Sequence, residues 1–242
     1  MAALNPDDTQ RHAGRVVGAA YLLALPPAIF AQFYVPNRLV IASNAAATAQ
    51  NIVTHERLFR FGLATNISVF ALDLVLIAAL YIALTPVNRH LAVLAAMLRV
   101  IETAVLVAVV TVSDFDVLRV LGGADYLRPF ADNQLQALAR LSIGGHNAGY
   151  NVGLFFAGLG STLFCYLWLQ SGYVPKALAA FGVFASFVLA SCTLSFIVFP
   201  EFTKVATIGV YGGPIFLFEL TMGAWLLLRG LRPDARSVSR AR

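Results

Sequence analysis

The chain has 242 residues, of which 59% are hydrophobic and only 12% are Asp, Glu, Lys or Arg. A soluble domain carries about twice that charged fraction, so too little polar surface is available to cover a water-facing globule. The net charge of +5 is scattered between apolar runs and gathered at the C-terminus, which points to membrane topology and anionic lipid and away from nucleic acid.

A helix needs about 20 apolar residues to cross a bilayer, and six such runs fill the sequence. Span 1 covers 12–35 and contains Pro26-Pro27, which should kink it. Its apolar stretch exceeds a typical signal-peptide core, so it is read as retained. A loop of helical character covers 36–56. Spans 2 (58–84) and 3 (89–112) are joined by the tight Thr85-Pro86-Val87-Asn88 turn. A polar connection over 113–134 leads to span 4 (143–168), with an amphipathic lead-in from Leu135. Spans 5 (177–199) and 6 (205–228) complete the set, and Gly212-Gly213-Pro214 should break or kink the last. Barrel strands alternate in polarity over about ten residues, whereas these runs are continuously apolar. The expected fold is therefore all-α: a polytopic bundle of about six transmembrane helices, one domain over 1–242, with a basic cytoplasmic tail over 229–242.

Lys/Arg bias sets orientation. One side holds both chain ends and the turns after spans 2 and 4, with Arg11, Arg15, Arg89, Lys176 and the arginines from Arg229 onward. The other holds Arg38, Arg57, Arg60, Arg119, Arg128, Arg140 and Lys204. The C-terminal cluster decides the assignment: both termini on one side, cytoplasmic, in the inner (plasma) membrane. Cys165 and Cys192 lie inside apolar runs and read as small packing residues.

Four ionisable residues fall inside spans: Asp73, Arg99, Glu102 and Glu219. Each costs about 2.5–3.5 kcal/mol at a helix centre on insertion scales, so each should face the bundle interior and find partners. Arg99 and Glu102 are three apart and share a helix face. Asp73 and Arg99 are equally distant from Pro86, before and after it, which sets them at one depth in antiparallel neighbours. An Asp73–Arg99–Glu102 group follows, with Glu219 as a further member. Two acids cannot both ionise cheaply beside one Arg in low dielectric. Asn66 is two turns from Asp73 on the same face. Span 4 adds a second stripe, His146, Asn147, Tyr150 and Asn151, at its outer end. Further along, Gly153, Ala157 and Ser161 form a small-residue ladder for close helix packing.

These residues define the candidate site: Glu102, Asp73 and Glu219 as acids, with Arg99, Arg60, His146, Asn147, Tyr150, Asn151 and Asn66 as binding groups. No lysine lies inside a span, which leaves no retinal-type Schiff base, and the sequence carries no HExxH, CxxC or P-loop. No metal or cofactor is expected. The expected partners are membrane lipids, a hydrophobic small molecule and a second copy of the chain.

Motifs spread along the chain carry a resemblance. They include Ala47-Thr48-Ala49-x-Asn51-Ile52, Glu56-x-Leu58-Phe59-Arg60, Pro86-Val87-Asn88-Arg89-x-Leu91-Ala92 leading to Arg99-x-x-Glu102, and Gln134-Leu135-Gln136-Ala137-Leu138. They continue with His146-x-x-Gly149-Tyr150-x-x-Gly153-Leu154-Phe155-Phe156, Ser171-Gly172-Tyr173-x-Pro175, and Glu219 with Trp225-Leu226-Leu227. Together these resemble the bacterial integral membrane protein family known as domain of unknown function 4386. The resemblance spans almost the whole chain, with Ala157 departing from the Gly usual after the Phe pair. It implies the fold and a membrane location, and it implies that Arg60, Arg99, Glu102, His146 and Glu219 belong to one shared polar pattern. It implies no reaction. Three functions stay open: an intramembrane site for a lipid or isoprenoid with acid–base chemistry of cyclase or isomerase type, a proton-coupled transporter, and a non-catalytic subunit whose charges fix helix packing.

Overall fold

The computed structural model of the chain is described over residues 6–232. Six helical runs are long and apolar enough to cross a membrane: Asp8–Leu39, Glu56–Leu84, Arg89–Leu121, Asp132–Ser171, Lys176–Val198 and Ile208–Leu228. No strand occurs among the described residues. Lipid offers no hydrogen-bond partners, and helices satisfy their backbone internally. Most of the expected basic tail lies beyond residue 232, outside the described residues.

The first run is α1 (Asp8–Ile29), a π turn (Phe30–Tyr34) and α2 (Val35–Leu39). Pro26 and Pro27 stay inside α1, where they cannot donate to the carbonyls of Leu22 and Leu23. The wider π turn follows at once. The loop of helical character resolves into α3 (Ala45–Thr54), capped by Asn44 Oδ1, which accepts from the Ala47 amide at 2.9 Å. Next come α4 (Glu56–Leu84) and α5 (Arg89–Val105), whose start is capped by Asn88 accepting from the Leu91 amide.

The third run does not end near 112. It passes through a second π turn (Leu106–Val110) into α6 (Thr111–Leu121), so the first part of the expected polar connection, 113–121, is helix. After a 3-10 turn at Asp125–Leu127, α7 runs over Asp132–Ser171, and the amphipathic lead-in is its first three turns. Then follow α8 (Lys176–Val198), a 3-10 turn (Pro200–Lys204) and α9 (Ile208–Leu228). Gly123 after α6 and Gly172 after α7 take φ of 71° and 70°, a conformation costly for side-chain-bearing residues. The expected break at Gly212-Gly213-Pro214 does not occur. Pro214 lies inside a continuous α9, since its missing N–H removes only one rung from a ladder held on both sides.

The chain forms two compact units. The first comprises residues up to Leu25, Leu72–Thr103 and Asn151 onward. Its core holds Tyr21, Phe164, Trp168, Tyr173, Phe218, Met222 and Leu226. Within it α1 and α9 touch backbone to backbone: a Cβ on Gly18 would sit 2.9 Å from the Gly223 carbonyl. Helix α7 meets α8 at Gly158, where a Cβ would lie 2.6 Å from the Ala190 nitrogen. The expected ladder residue Ala157 is buried beside it. Gln10 is buried and donates through Nε2 to the Ala83 carbonyl at 2.9 Å and to Tyr173 Oη at 3.2 Å. The Arg232 amide donates to the Tyr173 carbonyl at 2.9 Å.

The second unit comprises Pro26–Ala71 and Ala104–Tyr150. One apolar cluster joins Val35, Leu39, Ile52, Val117 and Ile143, and another joins Phe70, Leu106 and Val110 with Tyr150 against it.

Candidate functional site

The first unit holds the intramembrane charges. The short turn after α4 returns the chain antiparallel, and Asp73 on α4 meets Arg99 on α5. Arg99 Nη2 donates to Asp73 Oδ1 at 3.4 Å, a long contact. Arg99 Nη1 lies 3.0 Å from Glu102 Oε2 and 3.5 Å from Ser161 Oγ on α7. The Glu102 contact is close but out of hydrogen-bond alignment, so it is an ion pair only: Glu102 Oε2 and Arg99 Nε are buried without a hydrogen-bond partner among the described residues. The Arg99 stem lies on Gly160, where a Cβ would sit 2.7 Å from Arg99 Cγ. Glycine at 160 makes room for the guanidinium to reach the middle of the unit.

The two acids are unequal. The Glu102 side chain is 4% exposed and the Asp73 side chain 16%. Glu219, half-buried on α9, lies within electrostatic reach of Arg99 and Asp73. It forms no ion pair or hydrogen bond among the described residues. Its neighbour Phe218 packs edge-on against Tyr21, with ring centroids 6.2 Å apart. Two carboxyl groups thus pair with one guanidinium in a largely apolar setting, with a third, Glu219, within electrostatic reach. Arg99 Nε and Glu102 Oε2 are one donor and one acceptor without a hydrogen bond among the described residues.

The span-4 stripe separates. In the second unit His146 Nδ1 lies 2.8 Å from Asp114 Oδ1 on α6, and its ring stacks on Tyr150 at 6.1 Å and 12°. Asn147 is exposed, while Asn151 is half-buried in the first unit. Asn66 is buried and its Oδ1 accepts from Gln32 Nε2 in the first π turn at 2.6 Å. Arg60 is exposed and pairs with Glu56 at 2.6 Å on the first turns of α4.

Asp114 and Gln32 were not singled out from the sequence. A span 3 that ends at Val112 leaves Asp114 in a loop. The signal was present: Val110, Asp114, Val117 and Leu121 continue the helical period. The π turn at Leu106–Val110 also turns later residues by about 100° relative to a straight α-helix. Tyr173, in the turn between α7 and α8, has its hydroxyl pKa raised from the ordinary value by burial and by the nearby Asp7 charge, with the Gln10 hydrogen bond opposing.

Six long apolar helices with charged side chains folded inward define a multi-pass α-helical membrane protein. The model of the family described as "Domain of unknown function (DUF4386)" matches residues 16–230, and the chain belongs to that family. No curated protein matches the chain, and no solved structure does.

Proposed function

We propose that this chain is a protein of the inner (plasma) membrane with both ends cytoplasmic. Its Arg99 group holds the polar end of a hydrophobic small molecule, a lipid or isoprenoid, and performs acid–base chemistry on it. In this reading Arg99 orients the polar end, and Glu102, Asp73 and Glu219 are the proton-exchanging acids. The observation that carries it is that two buried polar atoms, Arg99 Nε and Glu102 Oε2, have no hydrogen bond among the described residues, inside a cluster held by ion pairs. Buried polar atoms normally find partners, and a ligand carrying both a donor and an acceptor would supply them. The cytoplasmic ends are supported by the basic residues at the chain ends. Gln10, Ala83, Tyr173 and the Arg232 amide also meet at one place in the first unit.

The fit of the Arg99 stem against Gly160 favours a second reading, in which the charges only fix helix register. The experiment is to extract the protein from its own membrane without detergent and to analyse the bound small molecules by mass spectrometry. Wild type, Arg99→Gln and Glu102→Gln are compared, each first shown to be folded by size-exclusion and thermal melting. A species enriched with wild type and lost from both variants supports the site. The same profile from all three leaves the register reading.

A further inference from the structure

The Asp114–His146 pair belongs to the second unit and does not depend on the Arg99 group. Asp114 sits on α6, one turn from Val110 and one turn from Val117. His146 sits on α7, one turn from Ile143 and one turn from Tyr150. Side chains at these spacings stack along a helix face. Val117 and Ile143 belong to the cluster with Leu39 and Ile52, and Val110 and Tyr150 to the cluster with Phe70 and Leu106. The pair is therefore a polar layer between two apolar ones.

In the tautomer that donates from His146 Nδ1 to the Asp114 carboxylate, a neutral ring has its lone pair on Nε2. The Nδ1–Oδ1 distance is 2.8 Å, in the range of a charge-assisted bond. Stacking on Tyr150 holds the ring plane. His146 is the more accessible member: its side chain is 15% exposed against 9% for Asp114. A second polar atom of the same stretch, Thr111 Oγ1, is buried without a hydrogen-bond partner among the described residues, one turn before Asp114 and directly after the π turn.

We propose that Asp114 and His146 form a second binding site, in which His146 Nε2 accepts a hydrogen bond from the hydroxyl of a lipophilic alcohol or phenol, with Asp114 as positioning residue. The apolar layers on both sides favour an apolar body. An anionic head would meet the Asp114 charge. A cationic head would have to shed its water to enter between two apolar layers, which is costly. An uncharged donor, a hydroxyl, avoids both penalties.

The test labels the histidine ring nitrogens with ¹⁵N in the full chain, in nanodiscs of phosphatidylethanolamine and phosphatidylglycerol. The His146 signals are assigned as those lost in His146→Gln. Dodecan-1-ol is then compared with dodecane, which shares the body but lacks the hydroxyl. The expected result is a proton on Nδ1, a bare Nε2, and an Nε2 resonance that moves with dodecan-1-ol but not with dodecane. Asp114→Asn should spread the proton over both nitrogens and weaken the dodecan-1-ol response roughly tenfold, the worth of one charge-assisted hydrogen bond. A proton found on Nε2 in wild type would overturn the proposal, and so would equal responses to the alcohol and the alkane. Both readouts come from wild type, so an Asp114→Asn chain that fails to fold leaves the test intact.

Discussion

Replacing Arg99 with methionine keeps the aliphatic stem against Gly160 and removes the cation from between two acids. The structure sets the size of the effect. Glu102 loses a partner at 3.0 Å while almost wholly buried, and Asp73 loses one at 3.4 Å while partly exposed. Breaking a buried ion pair by deleting one partner costs about 3–5 kcal/mol because the remaining charge has no compensation. Most of that should come from Glu102, since Asp73 keeps some access to its surroundings. The single change Arg99→Met should therefore destabilise the folded chain by about 3–5 kcal/mol. The triple change Asp73→Asn, Arg99→Met and Glu102→Met removes the three ion-paired charges at once, and should return to within about 1 kcal/mol of wild type. Both are measured by reversible unfolding in mixed micelles or by steric trapping in bicelles. If Arg99→Met unfolds within roughly 0.5 kcal/mol of wild type, the group is not a coupled buried cluster and the reasoning fails.

Gly160→Ala should destabilise by about 1–3 kcal/mol in the same assay, because its Cβ would meet Arg99 Cγ at 2.7 Å and the Ala95 carbonyl at 2.9 Å, and the carbonyl cannot move aside. Tyr173→Phe should cost about 0.5–1.5 kcal/mol near neutral pH through loss of the bond from Gln10. Burial raises the Tyr173 pKa, so the folded chain keeps a hydroxyl proton that the unfolded chain gives up above about pH 10. Wild-type stability should accordingly fall as pH rises past that point, and Tyr173→Phe should remove part of that fall in a pH series of melting curves. Topology is read by cysteine labelling, since Cys165 and Cys192 are both buried. Cysteines placed at Asn88 and Ser171 should label from the cytoplasmic face, and those at Gly122 and Thr203 from the opposite face. The reverse pattern would show the orientation to be inverted.

The Asp73–Arg99–Glu102 group was legible because three local facts fix it: a short turn, equal distances from Pro86, and an i,i+3 spacing on one helix. Glu219 was legible only as an intramembrane acid. Nothing in the sequence states how α9 rotates against α1 and α5, and the structure leaves Glu219 within electrostatic reach but unpaired. The Asp114–His146 pair was half legible. His146 stood out as a histidine on an apolar helix, but its partner was hidden by a π turn, which changes helix phase by one residue without any proline or glycine to announce it. The Gln32–Asn66 bond was hidden for the same reason, since Gln32 lies within the other π turn. The continuous α9 excludes the break, one of the two outcomes expected at Gly212-Gly213-Pro214: Gly-Gly-Pro is a strong breaker in water, yet in lipid the intact turns around Pro214 hold the helix.

A density map of the protein in lipid nanodiscs, at a resolution that shows individual side chains, tests the central claim most directly. A ligand-holding Arg99 group requires a non-protein feature of amphiphile size with its polar end within hydrogen-bond distance of Arg99 Nε or Glu102 Oε2, and its loss in Glu102→Gln. A group closed by side chains alone, with Nε and Oε2 bonded to each other or to protein atoms, would contradict it.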